Sequence, residues 1–126
     1  MKNERLNQVF SLWKDFSFEA AHQLTKVPVG HQCGRVHGHS YKVRVHCSGV
    51  LDPLKDWVVD YADIAKATRP LVESLDHTFL NDHLDLETTA ENLSWWFVQK
   101  LKEKLPSLYA VEVFETPTTS VLCPAK

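Results

Sequence analysis

The 126-residue sequence predicts an α+β fold, a four-stranded antiparallel sheet with two helices packed on one face in the order ββααββ. Three observations predict it. Two early stretches alternate apolar and polar residues, two central stretches repeat apolar residues at helical spacing, and an alternating pair closes the chain. No internal repeat or low-complexity linker breaks this order, so residues 1–126 read as a single domain, a common size for one core.

The first strand is read at FSFEAAH, where Phe16, Phe18, Ala20 and His22 share one side. The second is HSYKVRVHC, with Tyr41, Val43, Val45 and Cys47 facing one way and Lys42, Arg44 and His46 the other. DYADIAKATRPLVESL carries Ile64, Ala67, Leu71 and Leu75 as an apolar stripe, and Asp60 and Asp63 enrich its first turn, while Pro70 threatens a kink. In TTAENLSWWFVQKLKEKL, Thr88 and Glu91 fit a capping box, Leu93, Trp96, Phe97, Leu101 and Leu105 repeat at helical spacing, and Pro106 stops the helix. YAVEVFET then places Tyr109, Val111, Val113 and Glu115 on one face, and TSVLC pairs with it across a turn containing Pro117.

Composition narrows the function classes. A net charge of −2 and a pI near 6.4 give no long-range attraction for nucleic acid or an anionic membrane. No stretch approaches a membrane span, and polar residues interrupt the N-terminal segment where a secretory signal would be apolar. Three cysteines form no even disulfide framework, so a cytoplasmic protein with reduced thiols is expected.

HQCGRVHGHS, residues 31–40, puts one cysteine and three histidines into ten positions. In extended backbone, His37 and His39 point to the same side and share parity with the apolar side of the second strand, as His22 does with the first. If those strands pair antiparallel, three imidazoles converge, a set suited to catalytic zinc with its fourth position open. Isolated histidines are also often hydrogen-bonded core or surface groups, and that reading stays beside the metal one.

Cys33, four residues before His37, is either a nucleophile or base beside a cation or a fourth ligand that closes the shell; spacing leaves both open. Cys47 reads as core. Asp76 directly precedes His77, a pairing suited to proton transfer if the carboxylate orients the ring and otherwise an ordinary turn. Glu115 is the anomaly, because a carboxylate on an apolar face needs a partner such as a ligand presenting paired N–H donors.

FSFEAAH, CGRVHGH, DPLKDWVVDY, LDHTFLND, TTAENL and EVFETPT occur in this order and together resemble the 6-pyruvoyltetrahydropterin synthase / 6-carboxytetrahydropterin synthase family over roughly residues 12 to 116. The C-x-x-x-H-G-H spacing is similar to the carboxytetrahydropterin branch, the queuosine-pathway enzymes. The resemblance implies a tunnelling fold (T-fold) assembled as a homo-oligomer, a dimer of trimers, with active sites at subunit boundaries. It implies Zn2+ on His22, His37 and His39, a catalytic Cys33 with Asp76 and His77 as its proton-handling pair, and Glu115 anchoring the pterin's amino-pyrimidine edge. The implied substrate is 7,8-dihydroneopterin triphosphate, and the implied products are 6-carboxy-5,6,7,8-tetrahydropterin, acetaldehyde and triphosphate. The sister reaction stops at a pyruvoyl pterin, and a non-catalytic zinc or pterin-binding module is the reading from another class. Lys26 and Arg35 are candidates for the triphosphate by loop position. Two departures stand out: Glu87 and Thr88 replace an Asn-Pro of many members, expected to alter a turn and leave the chemistry alone, and the tail TSVLCPAK lacks the family's aromatic and glycine ending.

Overall fold

The computed structural model describes residues 2–126. Its regular elements are β1 (Phe10–His22), β2 (His37–Gly49), α1 (Tyr61–Leu75), β3 (Thr78–Phe79), α2 (Ala90–Leu101), β4 (Leu108–Thr116) and β5 (Thr119–Pro124), with short 3-10 segments before β1 and between some of the others. The sheet has five strands in the order β3-β1-β2-β4-β5, so the expected ββααββ of four strands becomes ββαβαββ. The added strand is two residues long and pairs parallel to β1, Ala20 with Thr78 and Ala21 with Phe79; the other pairings are antiparallel. Two residues are too few to show a period, which is why β3 has no signature in the sequence.

The period-two pattern becomes two chemically distinct faces. Phe16, Phe18, Ala20, Tyr41, Val43, Val45, Cys47, Val111 and Val113 are buried on the side that both helices cover. The helix-free side carries Trp13, Arg44 and Phe114. The Arg44 guanidinium lies 3.8 Å from the Trp13 ring centroid and bonds both carboxylate oxygens of Asp15 at 2.8 and 3.1 Å. These contacts belong to the first half of β1, which starts at Phe10, six residues before the alternation that marks it in the sequence.

α1 runs through Pro70 without ending; of the expected stripe it buries Ile64 and Leu75 and leaves Ala67 and Leu71 partly buried, while Thr68 and Val72 complete the buried face. α2 buries Leu93, Phe97 and Leu101 as the spacing predicts, but it ends at Leu101, and buried Leu105 belongs to the turn after it. Its N-cap is Thr89, whose hydroxyl accepts from the Asn92 amide at 3.2 Å, rather than Thr88. On β4 the register shifts opposite His46 and Cys47, so Leu108 faces Cys47 and Tyr109 is 57% exposed, not on the buried face with Val111 and Val113.

Candidate active site

Antiparallel pairing of β1 with β2 sets His22 opposite His37 and Ala20 opposite His39, and this register brings the three imidazoles together. One nitrogen from each lies within 4.8 Å of the others. The rings meet edge to face, with centroids 4.5 to 5.0 Å apart. His22 is 1% exposed, at the floor of the group.

The hydrogen bonds around the rings fix which nitrogens face the centre. His22 Nδ1 lies 2.8 Å from the Thr88 carbonyl, and His37 Nδ1 lies 2.7 Å from the Arg35 carbonyl. A carbonyl only accepts, so each Nδ1 carries a proton and, in a neutral ring, Nε2 is a bare lone pair. The two Nε2 atoms are 3.0 Å apart. Two lone pairs facing each other at that distance repel, and a cation between them turns the repulsion into two bonds. Tetrahedral zinc with Zn–N bonds of about 2.0–2.1 Å would hold such nitrogens about 3.3 Å apart, close to the separation seen. Burial pushes the His22 pKa below its usual value, with His37 and His39 in the same direction, against the upward pull of the Thr88 carbonyl and Glu115. A neutral His22 is the form a metal needs.

Glu115 sits beside this group, with Oε2 3.5 Å from His22 Nε2 and 3.6 Å from His39 Nε2, and its side chain is 30% exposed. The carboxylate that looked anomalous on an apolar face thus closes one side of the histidine cluster at the open end of β4. Beneath it, Tyr41 is 1% exposed, and its hydroxyl has no partner among the described residues; burial, with Glu115 adding, pushes the phenol well above its ordinary range.

Asp76 and His77 do form a pair, with Asp76 Oδ2 3.0 Å from His77 Nδ1. Asp76 Oδ1 accepts from the Glu19 amide at 2.8 Å, and that amide, helped by His77, holds the carboxyl below its usual range. His77 has a φ of 59°, a left-handed conformation that turns the chain out of α1 and onto the edge of β1. Its side chain is 79% exposed and borders a cavity of about 460 Å³ shared with Glu19, His39, Ser40 and Thr78.

Cys33 lies outside the compact donor set, which consists of His22, His37 and His39. Its amide donates to His31 Nδ1 at 3.0 Å and its carbonyl accepts from the Leu24 amide at 2.9 Å; none of these bonds reaches the Asp76–His77 pair. Lys26 and Arg35 are exposed in the same β1–β2 loop.

The roles of three polar residues are not visible in the sequence. Thr88 is fully buried with its hydroxyl 3.2 Å from His22 Nδ1, Asn81 bonds both the amide and the carbonyl of Gln23 at 3.0 and 2.8 Å, and Glu87 accepts three bonds from Thr25 and Lys26. The spacing of Thr88 to Glu91 reads as a helix cap and hides its buried role, and nothing in the local sequence marks the long-range partners of the other two.

The architecture and site define an α+β protein with a three-imidazole centre at the mouth of two adjacent strands. A family model for 6-pyruvoyl tetrahydropterin synthase matches residues 11–125. The 6-carboxy-5,6,7,8-tetrahydropterin synthase of Synechocystis sp. is 42% identical over 120 residues, covering 86% of this chain and 88% of its own. The 6-pyruvoyl tetrahydrobiopterin synthase of Homo sapiens is 34% identical over 93 residues, covering 68% and 64%. The structure of Caenorhabditis elegans 6-pyruvoyl tetrahydropterin synthase superposes with a TM-score of 0.84 at 26% identity, over 93% of this chain and 96% of that one. The chain therefore belongs to the 6-pyruvoyl tetrahydropterin synthase family, with 6-carboxy-5,6,7,8-tetrahydropterin synthases among its near relatives.

Proposed function

We propose that the chain converts 7,8-dihydroneopterin triphosphate and water to 6-carboxy-5,6,7,8-tetrahydropterin, acetaldehyde and triphosphate, a step toward queuosine. The observation that carries this reading is the pair of bare Nε2 atoms 3.0 Å apart in a three-histidine set that contains no thiol. Three ligands leave a coordination position for substrate, as a catalytic centre requires. The likeness to a carboxytetrahydropterin synthase over most of both chains, with the C-x-x-x-H-G-H spacing, favours side-chain cleavage over the pyruvoyl product.

The chemistry balances without an outside oxidant. The bonds broken are the carbon–oxygen bond to triphosphate and the bond between the first and second side-chain carbons. A water oxygen bonds to the first carbon, which rises to the carboxyl level as the ring gains two electrons, and the other two side-chain carbons leave as acetaldehyde. His22, His37 and His39 would hold Zn2+, which when bound supplies a Lewis acid for the substrate oxygens. Glu115 accepts from the ring N–H and amino group of the pterin, which orients the side chain toward the histidines. Asp76 keeps the His77 proton on Nδ1, so its Nε2 is free to take a proton from the substrate, and Cys33 handles a second transfer. Lys26 and Arg35 neutralise the triphosphate. Cys33 and His77 are assigned to one site across the boundary between copies in a dimer of trimers, a reading supported by the exposure of the His77 side chain.

Product analysis by mass spectrometry on zinc-loaded protein, with a metal-stripped control, tests the reaction. Carboxytetrahydropterin with acetaldehyde is expected only in the loaded sample. A pyruvoyl pterin would move the chain to the sister reaction, and binding without conversion would leave a pterin-binding module.

A further inference from the structure

The loop between β1 and β2 carries Cys33, yet it contains few buried apolar residues to hold it in place. Polar contacts with the segment between α1 and α2 take their place. Glu87 is the centre of them: Oε1 accepts from the Thr25 amide at 2.9 Å and the Thr25 hydroxyl at 3.0 Å, and Oε2 accepts from the Lys26 amide at 2.7 Å. The anchored residues lie against the Cys33 turn, because the adjacent Leu24 amide donates to the Cys33 carbonyl at 2.9 Å and the Gln23 side chain donates to the Gly34 carbonyl at 2.8 Å.

The next residue faces the other half of the site. Thr88 supplies the carbonyl that fixes His22 Nδ1 at 2.8 Å. Glu87 itself is held at its backbone, where its carbonyl accepts from Asn92 of α2 at 3.0 Å. Two consecutive residues, rooted on the start of α2, therefore grip the thiol loop with one and the floor of the metal set with the other.

We propose that Glu87 is a positioning residue that docks the Cys33 loop at a fixed distance from the three-histidine centre. The docking concerns the loop alone; its effect on turnover rests on the function proposed above. Three donors meet one carboxylate, and bonds to a charged acceptor are the stronger kind. Alanine removes all three bonds. Glutamine keeps one acceptor oxygen and turns its amide N–H2 toward a donor, so it is expected to fall between.

The test compares wild type, Glu87→Gln and Glu87→Ala as zinc-loaded protein, with Cys33 alkylation by iodoacetamide read by peptide mapping well below the thermal transition. Kinetics on 7,8-dihydroneopterin triphosphate run in parallel. The expected result is a several-fold faster alkylation of Cys33 in Glu87→Ala and a smaller increase in Glu87→Gln, with metal content unchanged. A kcat loss of about tenfold to a hundredfold is expected for Glu87→Ala, the scale of misplacing a catalytic group by about 1 Å. A purely structural role would lower the melting temperature and leave alkylation of the folded protein alone. Alkylation within twofold of wild type in both variants would overturn the docking. Wild type that fails to turn over the pterin would sink the functional reading, while the alkylation series still decides the docking. If Glu87→Ala does not fold, Glu87→Gln alone carries the comparison.

Discussion

The distinction between a ligand and a reacting group is made by single residues. His22 and His37 have their Nδ1 protons committed to backbone carbonyls, which leaves only Nε2 for a metal. Cys33 stands apart from that set. Replacing Cys33 with Ala is therefore expected to keep the metal and pterin affinity while lowering kcat by about 10²- to 10⁴-fold, the range for a lost proton-transfer group; metal analysis, pterin titration and steady-state kinetics read the three quantities. Full turnover in Cys33→Ala would remove its assigned role. Glu115→Ala is expected to weaken pterin binding with metal content unchanged. Loss of metal instead would make Glu115, 3.5 Å from His22 Nε2, a ligand rather than a pterin anchor. The histidine set was legible in the sequence because strand parity fixes the side on which His22, His37 and His39 emerge. The roles of Thr88 and Glu87 were not, since their partners lie more than 60 residues away.

Elements set how firmly this site is held. α2 closes over the sheet through Phe97, which is fully buried with its ring centroid 6.4 Å from that of Phe18. Phe97→Ala is expected to cost about 3–5 kcal/mol, read as a lower denaturation midpoint. Acid acts on other contacts. Glu87 is held below the usual carboxylate range first by the Thr25 amide, and Asp76 first by the Glu19 amide. Burial alone would raise Glu112, but its bonds to Ser120 and His46 outweigh that and lower it. A carboxyl with a depressed folded pKa binds fewer protons folded than unfolded near its ordinary value, so its contribution is complete above that value and disappears as the pH falls through the folded one. Stability is expected to decline from about pH 5 downward, and Glu87→Gln should flatten that decline. An identical pH slope in the variant, measured by chemical denaturation, would contradict the Glu87 contribution. The helices were legible because their apolar repeats span several turns. Their ends were not, because neighbouring threonines compete for the α2 cap; the two-residue β3 is too short to show a period, and the shift that exposes Tyr109 depends on pairing between β2 and β4.

At the scale of the whole molecule, the sheet is left open. β3 covers only Ala20 and Ala21, so along that edge most of β1 has no strand beside it, and β5 forms the other edge. Exposed edges favour pairing with another chain, which supports assembly of copies side by side. Native mass spectrometry is expected to show six copies. Mixed oligomers reassembled from Cys33→Ala and His77→Ala chains should recover part of the turnover that each lacks, since some boundaries then contain one intact partner from each. No recovery in well-mixed oligomers would put both groups in one chain's site. No helix among the described residues is long and apolar enough to cross a membrane.

Zinc K-edge absorption of the zinc-loaded protein distinguishes an open site of three imidazoles from a closed one. An open site is expected to give a shell of nitrogen and oxygen at about 2.0–2.1 Å that changes when a pterin triphosphate analogue binds. A sulfur scatterer at about 2.3 Å would instead make Cys33 a fourth ligand and the site a closed one.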